Sequence, residues 1–464
     1  SIIDKIKKIM EIYISNIYSI LKTSDKKLLK ALGKKYSCKA PGYEFTPAYR
    51  KGHWDGTNKF FNPSNGKFGT GLLYSILEDL DYLEEDYKLI DSREDIELQD
   101  TSIPGYTPRD YQKVLIDKAL ELKSCIIKAP TGAGKTIVIG SILKALEGKT
   151  GLLFFNKKQL LTQTSEFLTK CGIEHGVAFG DGVDIKPLTL VTIQSIDKVI
   201  DSHLKYSEFI MFDEIHEFAK GKVARKVLSS FPKATYRIGL TATPPKDRFS
   251  KLTLTSFLGR EIEEVTAKEL ADSGYLTTPS IQLIELPDVD PLATEKMGYP
   301  EIYDEYIIDN TERNEIIVNI VKNITDDNAK ILILTKNLSH AKYFKDNIPN
   351  SFQLEGKDSL EHRNKTLKEF IDKKGPSVII GTIIFQTGID IPELTHLINA
   401  RGLKSEISTI QALGRTLRKH KNKNKVYIYD FIDKAPYLGK HSKLRVDAYK
   451  QLEFIIEFHG IKKK

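Results

Sequence analysis

Between Ser124 and Leu146 the chain passes from an apolar run of strand length, through APTGAGKT (Ala129 to Thr136), into the helix-like segment TIVIGSILKAL. A small, glycine-rich turn held between a buried strand and a helix start lets successive backbone N–H groups converge on one anion, which also meets the positive end of the helix. This placement predicts a phosphate-binding loop. Thr131, Gly132, Ala133 and Gly134 would cradle the phosphates, Lys135 would reach the β and γ positions, and the Thr136 hydroxyl would ligate Mg²⁺. One departure stands out: the general pattern opens on Gly, where this chain has Ala129.

The same texture continues in both directions. Gly151 to Phe155, Thr189 to Ile193, Glu208 to Phe212 and Tyr236 to Leu240 are further apolar runs of strand length, each followed by a segment of helical period. After a proline-rich pause from Tyr275 to Pro300 the pattern resumes at Lys330 to Thr335, Ser377 to Gly381, Leu394 to Asn399 and Lys425 to Tyr429. Alternation of this kind predicts two α/β domains with mostly parallel sheets. Ahead of them, alternating Ile12, Ile14, Tyr18 and Ile20 predict strands. Ser24 opens a helix closed by Gly33, and the run from Pro41 to Gly69 has the punctuation of turns. From Lys443 onward, Leu444, Ala448, Leu452 and Ile455 predict a closing amphipathic helix. The resulting division is a small α+β domain at 1–77, an acidic linker at 78–104, α/β domains at 105–274 and 275–440, and a helix with a basic tail at 441–464.

Two more motifs supply what a triphosphate hydrolase needs. The strand ending at Phe212 runs into Asp213-Glu214-Ile215-His216, two adjacent carboxylates where α/β proteins collect their ligands. Asp213 suits Mg²⁺, and Glu214 suits orienting and deprotonating a water. In QALGRTLR, Arg415 and Arg418 lie on one helix face, able to meet charge developing on the γ-phosphoryl oxygens. Their place in the second domain implies nucleotide bound between two domains.

Charge bounds the partners. The 464 residues sum to only +8, but residues 1–70 carry +9, 71–100 carry −9 and 415–464 carry +9. Two basic ends are the footprint of polyanion binding, although lysine-rich faces can also be merely solvated. In the first of them Tyr43, Phe45, Tyr49, Trp54, Phe60 and Phe61 interleave with Arg50, Lys51 and Lys59. That pattern suits base stacking with phosphate neutralisation, and equally the core of a small domain. Cys38, Cys125 and Cys171 are odd in number and lack CxxC spacing, which gives no support to a zinc module or a disulfide framework. No apolar run approaches the ~18 residues of a membrane span. A cytoplasmic, monomeric protein using no metal beyond Mg²⁺ is expected.

In this order the motifs resemble the superfamily 2 helicases and translocases of DExH type, over about residues 105–435. Arg109 and Gln112 in TPRDYQ match the adenine-reading element, while APTGAGKT and DEIH match the two nucleotide motifs. Ala242, flanked by Thr241 and Thr243, is similar to the element coupling the ATP site to DNA, and VTIQS to a strand-contacting motif. ILILTKN, GTIIFQTGID and QALGRTLR complete the series. The resemblance implies two tandem RecA-like P-loop domains behind a small N-terminal domain. It places Gln112 at adenine, Gly388 and Asp390 at the nucleotide, Gln411 near the attacking water and His216 as a relay. Gln194, Ser195 and Thr382 would meet phosphates of one nucleic-acid strand. GYEFTPAYRKGHWDG is similar to the N-terminal module of UvsW-type branch-migration helicases of bacteriophages. The activity this implies is ATP-dependent remodelling of forks, D-loops or Holliday junctions in recombination, replication or repair. An RNA helicase, or a duplex translocase that separates no strands, remains open.

Overall fold

The computed structural model describes residues 9–180, 182–200, 202–219, 226–382, 391–404 and 425–460. They form two compact units, the first comprising the chain to Glu264 apart from Pro130–Ala133, the second those four residues and the chain from Val265 onward.

The first unit is built on an eight-stranded sheet. Its order is Gly182–Asp184, Gly176–Phe179, Leu188–Thr192, Gly151–Phe155, Phe209–Phe212, Tyr236–Thr241, Ser124–Lys128 and Glu261–Ile262. Every pairing is parallel except the first. The central strands Gly151–Phe155, Phe209–Phe212 and Tyr236–Thr241 are buried at every position, which is why they read as continuous apolar runs. Strand Tyr236–Thr241 lies between the strands that lead into Ala129 and Asp213, so the residues after all three emerge side by side at one sheet edge.

A second sheet in this unit has the order Lys67–Gly69, Tyr18–Lys22, Met10–Ile14 and Tyr87–Asp91. Helices Lys26–Lys35 and Leu73–Tyr82 cover one face of it, packing Leu28, Leu32, Leu73, Ile76 and Leu80 on Ile12, Ile14 and Leu21. The first helix departs from expectation at both ends. Its cap is Asp25, whose carboxylate accepts the N–H groups of Lys27 and Leu28. Gly33 lies inside the helix, where a Cβ would come within 3.0 Å of Pro63. Its glycine serves close approach rather than termination.

The acidic stretch expected as a linker is folded onto this unit. Tyr87–Asp91 pairs in parallel with Met10–Ile14. Beyond it, Lys233 and Lys123 lie 2.8 Å from Glu94 and Asp95. The Gln99 N–H donates to the Ala145 carbonyl at 2.8 Å, and Ile103 is buried. Opposite-sign partners in the turns just ahead of strands Ser124–Lys128 and Tyr236–Thr241 offset the acidity that made the stretch look solvated. The two sheets meet along helix Arg248–Leu258, which Gly69 and Gly71 approach so closely that a Cβ would lie 2.2 Å from the Ser256 carbonyl oxygen and 2.0 Å from that of Thr255. Phe60 faces Phe249 and Tyr18 faces Phe257 across the same seam.

The second unit holds a seven-stranded, all-parallel sheet. Its order is Phe352–Leu354, Ser377–Gly381, Lys330–Leu334, His396–Asn399, Lys425–Ile432, Thr278–Glu285 and Ile456–Gly460. The closing helix spans Leu438–Gln451, and the chain then turns into the last of these strands instead of staying helical through Ile455. Two carboxylates and two guanidinium groups are buried together here. Arg313 Nε is 2.8 Å from Asp433, and Arg445 bridges Asp430 at 3.1 Å and Asp433 at 3.5 Å. Among the described residues, no helix is long and apolar enough to cross a membrane.

Candidate functional site

The phosphate loop has the backbone its sequence predicts. Gly132 and Gly134 take positive φ of 87° and 77°, and the helix begins at Lys135, directly after Gly134. At Gly134 a side chain is excluded on two counts, since a Cβ would also lie 2.4 Å from Gln112 Nε2. Ala129, in place of the usual glycine, is buried and donates its N–H to the Thr241 carbonyl at 3.0 Å. A methyl group is accommodated there. Thr131 and Thr136 are half-buried along the loop and first helical turn, and Ala133 is buried.

Asp213 and Glu214 leave the neighbouring strand. The Asp213 N–H donates to the Phe154 carbonyl at 3.0 Å, and the Asp213 carboxylate accepts the Glu214 N–H at 3.0 Å. Glu214 adopts left-handed backbone, φ 51° and ψ 53°, which turns its carboxylate back toward the phosphate loop. Glu214 Oε1 lies 2.8 Å from Lys135 Nζ. Burial, reinforced by the adjacent Glu214, raises the Asp213 carboxyl above the ordinary carboxylate range, with Lys135 opposing. A non-glycine residue held at positive φ, beside a carboxylate that resists ionising, is a pattern concentrated at functional sites.

His216 links this corner to the next strand. Its Nδ1 is 2.8 Å from Thr241 Oγ1 and 3.4 Å from Glu214 Oε2, while Thr241 Oγ1 also accepts the Thr243 N–H at 3.0 Å. Lys135, Glu214, His216, Thr241 and Thr243 therefore form one continuous polar chain along the sheet edge. Spacing alone could not reveal that chain, because Thr241 is 25 residues from His216 and becomes its neighbour only through parallel pairing.

Other candidates sit as follows. Gln112 is fully buried and its carboxamide oxygen accepts the Arg109 N–H at 2.8 Å, closing the start of helix Asp110–Leu122; Arg109 Nη1 donates to the Tyr111 hydroxyl. Gln194 is exposed, with Nε2 donating to the Asn156 carbonyl at 3.4 Å. Ser195 is buried and its hydroxyl lies 3.2 Å from that of Thr192, the arrangement of a turn cap. Thr382 is buried just past strand Ser377–Gly381. In the N-terminal module Arg50, Lys51 and Lys59 are exposed, while Trp54 is half-buried with its indole N–H bound to the Thr57 carbonyl. Gly388, Asp390, Gln411, Arg415 and Arg418 lie outside the described residues.

Known families divide at the same place as the two sheets. Residues 105–246 match the family described as "Type III restriction enzyme, res subunit", and residues 312–420 match "Helicase conserved C-terminal domain". The chain belongs to the superfamily 2 helicases. It is thus an ATP-using helicase enzyme. Among its relatives, "ATP-dependent DNA helicase uvsW" of Enterobacteria phage T4 is 26% identical over 92% of this chain and 90% of its own length. "DNA 3'-5' translocase XPB2" of Sulfurisphaera tokodaii is 25% identical over 67% and 78%. A solved fragment of a putative HsdR subunit of a type I restriction enzyme from Vibrio vulnificus aligns over 78% of this chain and 70% of its own, with TM-score 0.58 and 18% identity. At that identity the likeness is one of fold.

Proposed function

We propose that this helicase acts on DNA, remodelling branched structures such as forks, D-loops and Holliday junctions at the cost of ATP. The observation that carries the proposal is the continuous chain from Lys135 through Glu214 and His216 to Thr241 and Thr243. It connects a phosphate-binding lysine to residues in the position of the family's coupling element. Support for DNA comes from the relatives, named as a DNA helicase and a DNA translocase, and from the +9 carried by residues 1–70.

On this reading Lys135 neutralises the β and γ phosphates, and Glu214, released from its ion pair, orients and deprotonates the attacking water. Gln411 assists with that water, and Arg415 and Arg418 meet the charge of the transition state. Gln112 with Arg109 would read adenine, and Gly388 and Asp390 would complete the nucleotide site. Two adjacent carboxylates against one lysine fit a bound divalent cation. Thr136 and Asp213 would hold Mg²⁺, which supplies further neutralisation of the phosphates. Gln194 and Thr382 would contact strand phosphates, with Ser195 bracing the turn under Gln194. Arg50, Lys51, Lys59 and the Trp54 region would grip DNA in the N-terminal module.

The test is ATPase turnover with single-stranded, linear duplex, forked and four-way DNA, beside an RNA control. Strongest stimulation by forked and four-way DNA is expected. Equal or greater stimulation by RNA would overturn the proposal.

A further inference from the structure

Six aromatic rings between Tyr43 and Phe61 are candidate nucleic-acid contacts by sequence, and the fold sorts them. Phe61 is fully buried and stacks on Phe68, with ring centroids 5.8 Å apart. Phe60 packs toward Phe249 in the seam between the two sheets. Trp54 is half-buried and tied through its indole N–H to the Thr57 carbonyl. Tyr43 is half-buried and meets Tyr49 edge-on at 4.8 Å, leaving Tyr49 38% exposed. Phe45 is 74% exposed. Phe45 is therefore the most exposed of the six rings.

The turn that presents Phe45 is braced. The Phe45 N–H donates to the Gly42 carbonyl at 3.1 Å, and the Thr46 hydroxyl donates to the Tyr43 carbonyl at 2.8 Å. The Thr46 oxygen accepts the Tyr49 N–H as the cap of helix Pro47–Arg50. Gly56 closes the base of the turn at φ 83°, against Tyr43, where a Cβ would lie 2.2 Å from the ring. The same module exposes Arg50, Lys51 and Lys59; Arg50 Nε donates to the carbonyl of Glu44, the residue before Phe45, at 3.4 Å, and Lys39 Nζ lies over the Tyr43 ring. A fixed, exposed aromatic in a basic setting matches a nucleobase, whose π-face needs a flat apolar partner and whose phosphates need cations. Because Gly69 and Gly71 seat this module on helix Arg248–Leu258 without room for a Cβ, the ring is carried by the same unit as the phosphate loop's lysine.

We infer that Phe45 is a base-stacking prong that caps the terminal base pair, or an unpaired base, at a DNA junction. The inference rests on the reading that DNA is the substrate. Its test uses the full chain on a forked duplex carrying 2-aminopurine at the junction, comparing wild type, Phe45→Ala, Phe45→Trp and, as a control, Tyr82→Ala, an aromatic exposed by 87% outside this turn. The wild type and Tyr82→Ala should change the probe's fluorescence on binding and unwind the fork. Phe45→Ala should lose the fluorescence change and unwind roughly ten-fold more slowly, the size of effect one base–aromatic stack can carry. Phe45→Trp should restore both, and equal thermal midpoints will exclude misfolding. Retention of both signals by Phe45→Ala, whether Phe45 is idle or contacts a protein partner instead, overturns the prong. Absence of DNA-stimulated ATPase in the wild type overturns the DNA reading itself, and the prong with it.

Discussion

Lys135 Nζ and Glu214 Oε1 form a 2.8 Å ion pair across the phosphate loop. The two groups assigned to phosphate and to water thus hold each other before either has a ligand. On the proposed function, phosphate binding would replace the carboxylate on Lys135 and free Glu214 for the water, so that occupancy of the loop would arm the base. Glu214→Gln weakens the pair that nucleotide has to break. A labelled ATP analogue should bind it at least as tightly as wild type, while hydrolysis falls by about 10² or more. Lys135→Ala should lose both nucleotide binding and turnover. Wild-type turnover in Glu214→Gln would remove Glu214 from the chemistry.

Thr241 accepts the Thr243 N–H and stands beside His216 Nδ1. Thr241→Val keeps the shape and removes the hydroxyl, taking its acceptor from the buried Thr243 N–H at a cost of about 1–3 kcal/mol. Its expected signature is uncoupling, with ATP consumed per base pair unwound rising several-fold. A parallel fall in both rates would instead assign Thr241 to the hydrolysis step.

Gly71 has no space for a side chain, since a Cβ would lie 2.0 Å from the Thr255 oxygen and 2.4 Å from the Gly259 nitrogen. Gly71→Ala should destabilise the seam by about 1–3 kcal/mol or more, as overpacking does. Limited proteolysis should then cut between the N-terminal sheet and the first α/β domain sooner than in wild type.

Asp433 is shared by Arg313 and Arg445, all three almost fully buried. Asp433→Ala strands the Arg313 guanidinium while Arg445 keeps Asp430, and breaking a buried pair in this way costs about 3–5 kcal/mol. Urea denaturation should show that loss in the transition of the second unit. A change below 1 kcal/mol, on the order of an exposed pair, would mean that water reaches the network.

His340 and His396 are kept neutral by burial, their pKa values lowered from 6.5 to about 3 and about 4. Below pH 6.5 the unfolded chain takes up protons that the folded rings refuse, so this stability is present above 6.5 and drains away as pH falls toward 4. The loss is limited to about 1.4 kcal/mol per pH unit for each ring. His340→Gln can retain the link to Asn314 made by His340 Nε2. Its denaturation midpoint should change less between pH 6.5 and 4.5 than that of wild type. Identical slopes would place the proton uptake elsewhere.

Much of the architecture was readable because buried parallel strands must be apolar throughout, and Phe209–Phe212 or Lys330–Leu334 have few other uses. The phosphate loop and the Asp213-Glu214 pair were readable because their chemistry is local, a turn between a strand and a helix. What escaped was produced by neighbours distant in sequence. Tyr87–Asp91 lies among acids and looks solvated until Met10–Ile14 is set beside it. The strand Ile456–Gly460 is exposed at four of its five positions, so it carries little apolar period to read. Asp430 and Asp433 did leave a mark, two acids within the apolar run VYIYDFID, but their partners Arg313 and Arg445 lie on separate helices. Gln112 shows the limit in the other direction. Its motif names a base contact, while the fold also engages its oxygen at the helix start.

The parallel pairing of Met10–Ile14 with Tyr87–Asp91 brings together segments more than seventy residues apart. The N-terminal sheet therefore cannot be completed on the ribosome until the acidic stretch has emerged, and loop closure over that distance has to precede its reward. Cutting the chain at residue 77, where the charge changes sign, would sever helix Leu73–Tyr82 and expose the edge of Met10–Ile14 to whatever strand it met first. A fragment meant to isolate this module should run through Ser92, whose N–H and hydroxyl both donate to the Ile14 carbonyl.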